Sequence, residues 1–194
     1  MGVIAEFLQG QRIYFQHVAG VVVPGLDVPV HNADRLTPGP IDDWDDDELE
    51  LLIEEGRRQS DRQQDQLEQI RGRAQWLFTV GVAVLAALGG ALGAGQHRAV
   101  GLALWSIVAL TLLAYGIGGA TAILVAKADF KMIHTAVLSR LKRPIDRELA
   151  SAYARMMSMG EDTVATRLTV FRQAVVFCLM GGYLGFIAQL AASL

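Results

Sequence analysis

The residues that could do chemistry here are four histidines, one cysteine and twenty acids, and their spacing builds no reactive site. His17, His31, His97 and His134 are scattered, and Cys178 stands alone inside an apolar run. One thiol closes no disulfide within the chain, and no Cys/His spacing suits a metal. The acidic run DDWDDDELE at 42–50 lacks the glycine and the spaced oxygen ligands of a calcium loop. No HExxH helix, nucleophile–base set or Gly-rich phosphate loop is present. The expectation is no catalytic residue, no metal, no cofactor and no enzyme activity.

What the chain does carry is length without charge. From Trp76 to Ala126 the only formal charge is Arg98, next to His97. Trp76–Gly93 predicts a first span of roughly 27 Å at 1.5 Å per residue, close to a bilayer core. The short turn Gly95–Arg98 leads into a second span at 99–126, long enough to tilt or to project beyond the bilayer. A third span is predicted at 173–194, ending AVVFCLMGGYLGFIAQLAASL. The composition agrees: 52% of residues are hydrophobic and mean hydropathy is +0.33. The predicted fold class is all-α: an integral membrane protein with three transmembrane helices and long cytoplasmic helical extensions.

Charge is segregated along the chain. Fifteen of the twenty acids precede Leu77, nine of them between Ile41 and Glu55, where there is no base. Residues 127–172 hold nine Lys/Arg against five acids. Nucleic acid is therefore not an expected partner. Arg57, Arg58, Arg62, Arg71 and Arg73 precede the first span. The bases thus lie in the two segments that three spans place on one side. By the positive-inside rule that side is the cytoplasm, the localisation is a bacterial inner membrane, the N-terminus is inside and the C-terminus outside. Arg71, Arg73, Trp76 and Arg172 are the expected interface anchors. The first residues lack a basic region followed by an apolar run, so no secretory signal is expected.

The remaining segments are irregular, polar or amphipathic. Residues 1–46 read as a tail and acidic linker, with a short amphipathic helix fitting 3–18 and a strand equally fitting Val21–Val23. A polar helix is expected over 47–75, capped by Asp47 with Glu50 and supported by pairs such as Glu54–Arg58. Leu49, Ile53, Leu67, Ile70 and Ala74 suggest a short coiled coil, which the gap between Ile53 and Leu67 should interrupt. Residues 127–172 read as a cytoplasmic helical hairpin, broken near Pro144 and stopped at Gly160.

The spans contain no Asp, Glu, Lys or Arg, unlike ion-coupled transporters and voltage sensors. They contain ridges of small residues instead. Ala114, Gly118, Ala122 and Ala126 recur every four residues, and Gly181 with Gly185 forms GxxxG. Such ridges let helix backbones approach closely in lipid. Ala114, Gly118, Ala122, Gly181 and Gly185 are the expected helix-packing or oligomerisation residues.

A polar helix ending in IRGRAQWLFTVGVAVLAALGG feeds a tight two-span hairpin, and an amphipathic segment follows. Over about residues 60–145 this layout resembles the SLATT family of small bacterial membrane effectors. The resemblance implies an antiviral defence role in which helices oligomerise on a signal and perturb the inner membrane. The leading expectation is a non-enzymatic homo-oligomer, with the lipid bilayer as its first partner, that permeabilises or gates that membrane as a pore. The alternative is an anchor or scaffold recruiting a cytoplasmic protein through 45–75 and 127–172.

Overall fold

A computed structural model of the chain describes residues 2–23, 26, 29, 41, 43–93, 100–126 and 145–193. Among them there are four α-helices and no strand. We label them α1 (Gly2–Val22), α2 (Asp46–Gly93), α3 (Val100–Val125) and α4 (Ile145–Ser193). Three of them, α2, α3 and α4, are long and apolar enough to cross a bilayer. The expected Gly95–Arg98 turn and the first half of the 127–172 hairpin lie outside the described residues.

The residues expected as a polar helix and those expected as a first span belong to one helix. α2 is one helix of 48 residues, roughly 72 Å long, with no break between its charged and apolar halves. Its N-terminus is held by a reciprocal capping box. The Glu48 amide donates to Asp45 Oδ1 at 2.8 Å, and the Asp45 amide donates to Glu48 Oε2 at 3.1 Å. The expected Asp47–Glu50 pairing is therefore displaced by two residues. In a run of adjacent aspartates, only Asp45 lies outside the first helical turn with its carboxylate free to turn back.

Two compact units emerge from the contacts. The first comprises 1–29, 70–126 and 167–194, and the second comprises 30–69 and 127–166.

In the second unit, α2 and α4 run parallel. A side chain at Gly56 would press on Tyr153, and one at Gly160 would press on Gln63. Each pair is 97 residues apart. Leu49, Gly56, Gln63 and Leu67 are buried, and Ile53 and Ser60 are half-buried. These are successive a and d positions of one heptad frame. The seam therefore continues across the supposed gap between Ile53 and Leu67. Gly56 and Ser60 fill it by being small, and Gln63 fills it by donating to the Met157 carbonyl at 3.2 Å. Gly160 does not stop α4, because its missing Cβ is where the Gln63 side chain sits.

The outer face of this unit is polar. Glu54 and Arg58 pair at 2.6 Å, and Arg62 turns to Glu55 at 3.6 Å. All four side chains are about half exposed or more, so each pair adds only a few tenths of a kcal/mol. Arg147 anchors the start of α4 by donating to the Trp44 carbonyl at 3.2 Å.

The first unit holds the apolar lengths of α2, α3 and α4 together with α1. Ile70, Ala74 and Gly81 of α2 are buried, and Leu77, Val84 and Leu88 are half-buried. On α3 Ser106, Ala109, Leu113, Gly116, Ala120 and Ile123 are buried at alternating spacings of three and four residues, the stripe of a packed helix face, and Gly119 and Ala122 are buried beside it. On α4, Arg167, Ala174, Gly181 and Ala188 are buried at seven-residue spacing.

Candidate functional site

Of the expected packing residues, Gly181 lies where two backbones meet. A Cβ on Gly181 would lie 2.8 Å from the Ala109 carbonyl oxygen and 2.8 Å from the Leu113 amide nitrogen. A Cβ on Gly116 would strike the Cys178 sulfur and come within 2.9 Å of the Ala174 carbonyl. α3 and α4 therefore touch backbone to backbone, and they run antiparallel. Gly185 faces Leu88 of α2, and a Cβ on Gly81 would lie 2.9 Å from Ile117 Cγ1. Gly181 and Gly185 are thus occupied by contacts within this chain. Gly118 faces Val18 of α1 at 3.1 Å for an added Cβ, Ala122 is buried and Ala114 is exposed.

α1 is the element that sequence reasoning understated. Expected as part of a tail, it is helical from Gly2 to Val22 and packs on α3 and α4. Ile13 and Tyr14 are fully buried, at 2% and 0% exposure. The Tyr14 ring occupies the space that a side chain at Gly119 would need, and its hydroxyl donates to the Tyr115 carbonyl. Tyr14, Phe15, Tyr115 and Phe177 form one aromatic cluster. Tyr14 and Phe177 lie 5.2 Å apart, and Phe15 meets Tyr115 edge-on at 5.7 Å. Such pairs contribute about 0.5–1.5 kcal/mol each beyond area burial. Gln11 Nε2 donates to Gln173 Oε1 at 2.8 Å, tying α1 to α4 a second time. The available signal was weak. Ile13-Tyr14 and Val18 make a stripe only two turns long, and they are interleaved with Phe15, which is 45% exposed.

Polar chemistry in this unit collects at the start of the apolar part of α4. Arg167 is buried and donates from Nη2 to the Ala126 carbonyl at 2.8 Å. It thereby caps α3 at the negative end of the helix dipole. Its Nη1 is buried without a hydrogen-bond partner. Burial, and then the nearby Arg71, lower its pKa from the ordinary guanidinium value. Burial also lowers the pKa of His17, with Arg167 adding to the effect, against a smaller rise from the Ile13 carbonyl bonded at 2.9 Å to Nδ1. The expected anchors Arg71, Arg73 and Arg172 are exposed, and Trp76 is 70% exposed.

Two surfaces of this unit remain open. The apolar stretch of α2 is 6% buried, against 39% for α3 and 28% for α4. Its uncovered side carries Thr79, Ala83, Ala86, Ala87 and Gly90, all exposed, and an added Cβ at Gly89 or Gly90 would meet nothing within 4 Å. Between α2 and α4 lies an apolar cleft of about 640 Å³, with Arg73 and Trp76 at one end, Cys178 along its wall and Tyr183 at the other end. Among the described residues no group of three or more metal-ligating side chains converges.

The elements and surfaces define a class: an all-helical chain with three helices suited to a bilayer, packed by glycine contacts, with apolar faces turned outward. No family model matches it, and no curated protein and no solved structure is significantly similar to it.

Proposed function

We propose that this chain is a non-enzymatic inner-membrane protein that self-associates and permeabilises or gates the membrane, with a defence effector as its biological setting. The observation that carries this reading is the uneven use of the small-residue ridges. Those on α3 and α4 are spent on contacts within the chain, whereas the Ala83–Gly90 face of α2 meets nothing. In lipid, a ridge of this kind is an association surface, because close backbone approach rather than hydrophobicity drives helix pairing. The resemblance to SLATT effectors points the same way. The bases before the first span and after the second favour a cytoplasmic side for 46–69 and 145–166 under the positive-inside rule, where a trigger would act. The charge-free spans suit a lesion or gate formed between copies better than an ion-coupled transporter.

The test is expression in a bacterial host with a potential-sensitive dye. The wild-type chain should depolarise the membrane. Ala83→Leu and Gly90→Leu, which alter only open positions, should restore polarisation at equal expression. Intact potential at high expression of the wild-type chain would sink the proposal.

A second reading is favoured by the second unit. Asp45, Asp46, Asp47, Glu48 and Glu50 are all exposed at the start of α2, offering an acidic face to a basic partner. A scaffold would co-purify with a second protein in fixed ratio and lose it when 41–55 is deleted.

A further inference from the structure

We propose that the cleft between α2 and α4 binds one anionic phospholipid, with its acyl chains along the apolar wall and its phosphate at Arg73. The proposal rests on the membrane-spanning reading and is independent of self-association. Its dimensions carry it. On α2 the cleft extends from Arg73 to Val84, and on α4 from Phe171 to Tyr183. Eleven or twelve residues of helix rise about 16–18 Å, and half of a bilayer's hydrocarbon core is about 15 Å. The cleft therefore runs the depth of one leaflet, starting where Arg73 and Trp76 mark the headgroup level.

Its width selects the occupant. A volume of about 640 Å³ spread over that length gives a cross-section of roughly 40 Å². A helix about 10 Å across needs roughly 80 Å², so the body of a helix from a second copy is too wide to enter the cleft. Hydrocarbon chains in contact at about 4 Å need roughly 15–20 Å² each, so the two chains of one phospholipid do. The end of the cleft is not neutral. Arg73 is exposed and lines the opening, which complements a phosphate and offers nothing to a zwitterionic headgroup's ammonium. Trp76 beside it has the amphipathic ring that settles at that level.

Two positions make the proposal testable without disturbing the fold. Gly182 lines the cleft, yet an added Cβ there would meet nothing within 4 Å. Gly182→Phe therefore fills the cleft while sparing the helix contacts. Arg73→Gln removes the charge from an exposed position.

The full chain would be reconstituted in vesicles of equimolar phosphatidylglycerol and phosphatidylcholine. It would then be extracted into mild detergent and weighed by native mass spectrometry, with circular dichroism confirming equal helix content. The wild-type chain should retain one lipid per protomer, predominantly phosphatidylglycerol. Gly182→Phe should retain none. Arg73→Gln should lower the preference for phosphatidylglycerol roughly five-fold, the size expected of one basic residue at an anionic surface. Equal retention of both lipids by the wild-type chain would overturn the assignment, as would undiminished retention by Gly182→Phe. Failure of the chain to float with the vesicles would instead overturn the spanning reading beneath it.

Discussion

Gly181 and Gly182 are adjacent, both lie in an apolar helix, and the structure gives them opposite roles. A methyl group at Gly181 would sit 2.8 Å from the Ala109 carbonyl oxygen, the Leu113 Cγ and the Leu113 amide nitrogen. Two of those three atoms are backbone and cannot swing aside, so α3 and α4 must separate. Forcing a methyl into a closed contact costs about 1–3 kcal/mol. The helix propensity gained on replacing glycine with alanine is about 1 kcal/mol, and it offsets part of that cost. Gly181→Ala should therefore destabilise by about 0–2 kcal/mol. Gly182→Ala meets no atom within 4 Å and should show the gain alone, about 1 kcal/mol of stabilisation. The two variants should thus differ by about 1–3 kcal/mol. For a chain of this size each kcal/mol moves Tm by about 2–4 °C, so the melts should separate by roughly 2–12 °C, with Gly182→Ala the higher. Thermal unfolding followed by circular dichroism in a fixed detergent measures this directly. Equal melts, or a lower melt for Gly182→Ala, would refute the backbone contact between α3 and α4.

Three further outcomes are expected. Tyr14→Phe removes the hydroxyl that donates to the Tyr115 carbonyl but keeps the ring; it should loosen α1 by about 1 kcal/mol, read as faster amide exchange confined to Gly2–Val22. Asp45→Ala opens the capping box of α2 and should cost about 1 kcal/mol, seen as increased amide exchange in the first turn of α2 alone. Because burial lowers the His17 pKa in the folded chain, the unfolded chain binds the extra proton first as pH falls. Stability should accordingly hold above the ordinary histidine value of about 6.5 and decline as pH falls below it; Tm measured from pH 7.5 to 5 should show the decline, and His17→Gln should flatten it.

The three long apolar helices were legible because a charge-free run of bilayer length is the least ambiguous pattern a sequence can hold. Local signals with two physical readings were not. Gly160 has the composition of a helix stop, but here its bare backbone accommodates Gln63. Gly56, Ser60 and Gln63 looked like an interruption of the seam because hydrophobicity was the criterion. In this seam shape and a hydrogen bond fill those layers. The small residues of the spans were recognised as packing surfaces, but sequence could not say which ridge meets which helix. That choice depends on the antiparallel pairing of α3 with α4 and on the docking of α1. α1 itself was understated because a stripe two turns long gives little periodicity to count.

The Arg167 cap and the Gly181 contact also have a mechanical meaning. They join α3 to α4 at two heights, 14 residues apart along α4, or about 21 Å. Antiparallel helices pinned at two levels cannot slide along each other without breaking both attachments. The pair behaves as a single strut. Among the described residues the outward side of α2 carries no such latch, and its glycine and alanine leave a smooth rail there.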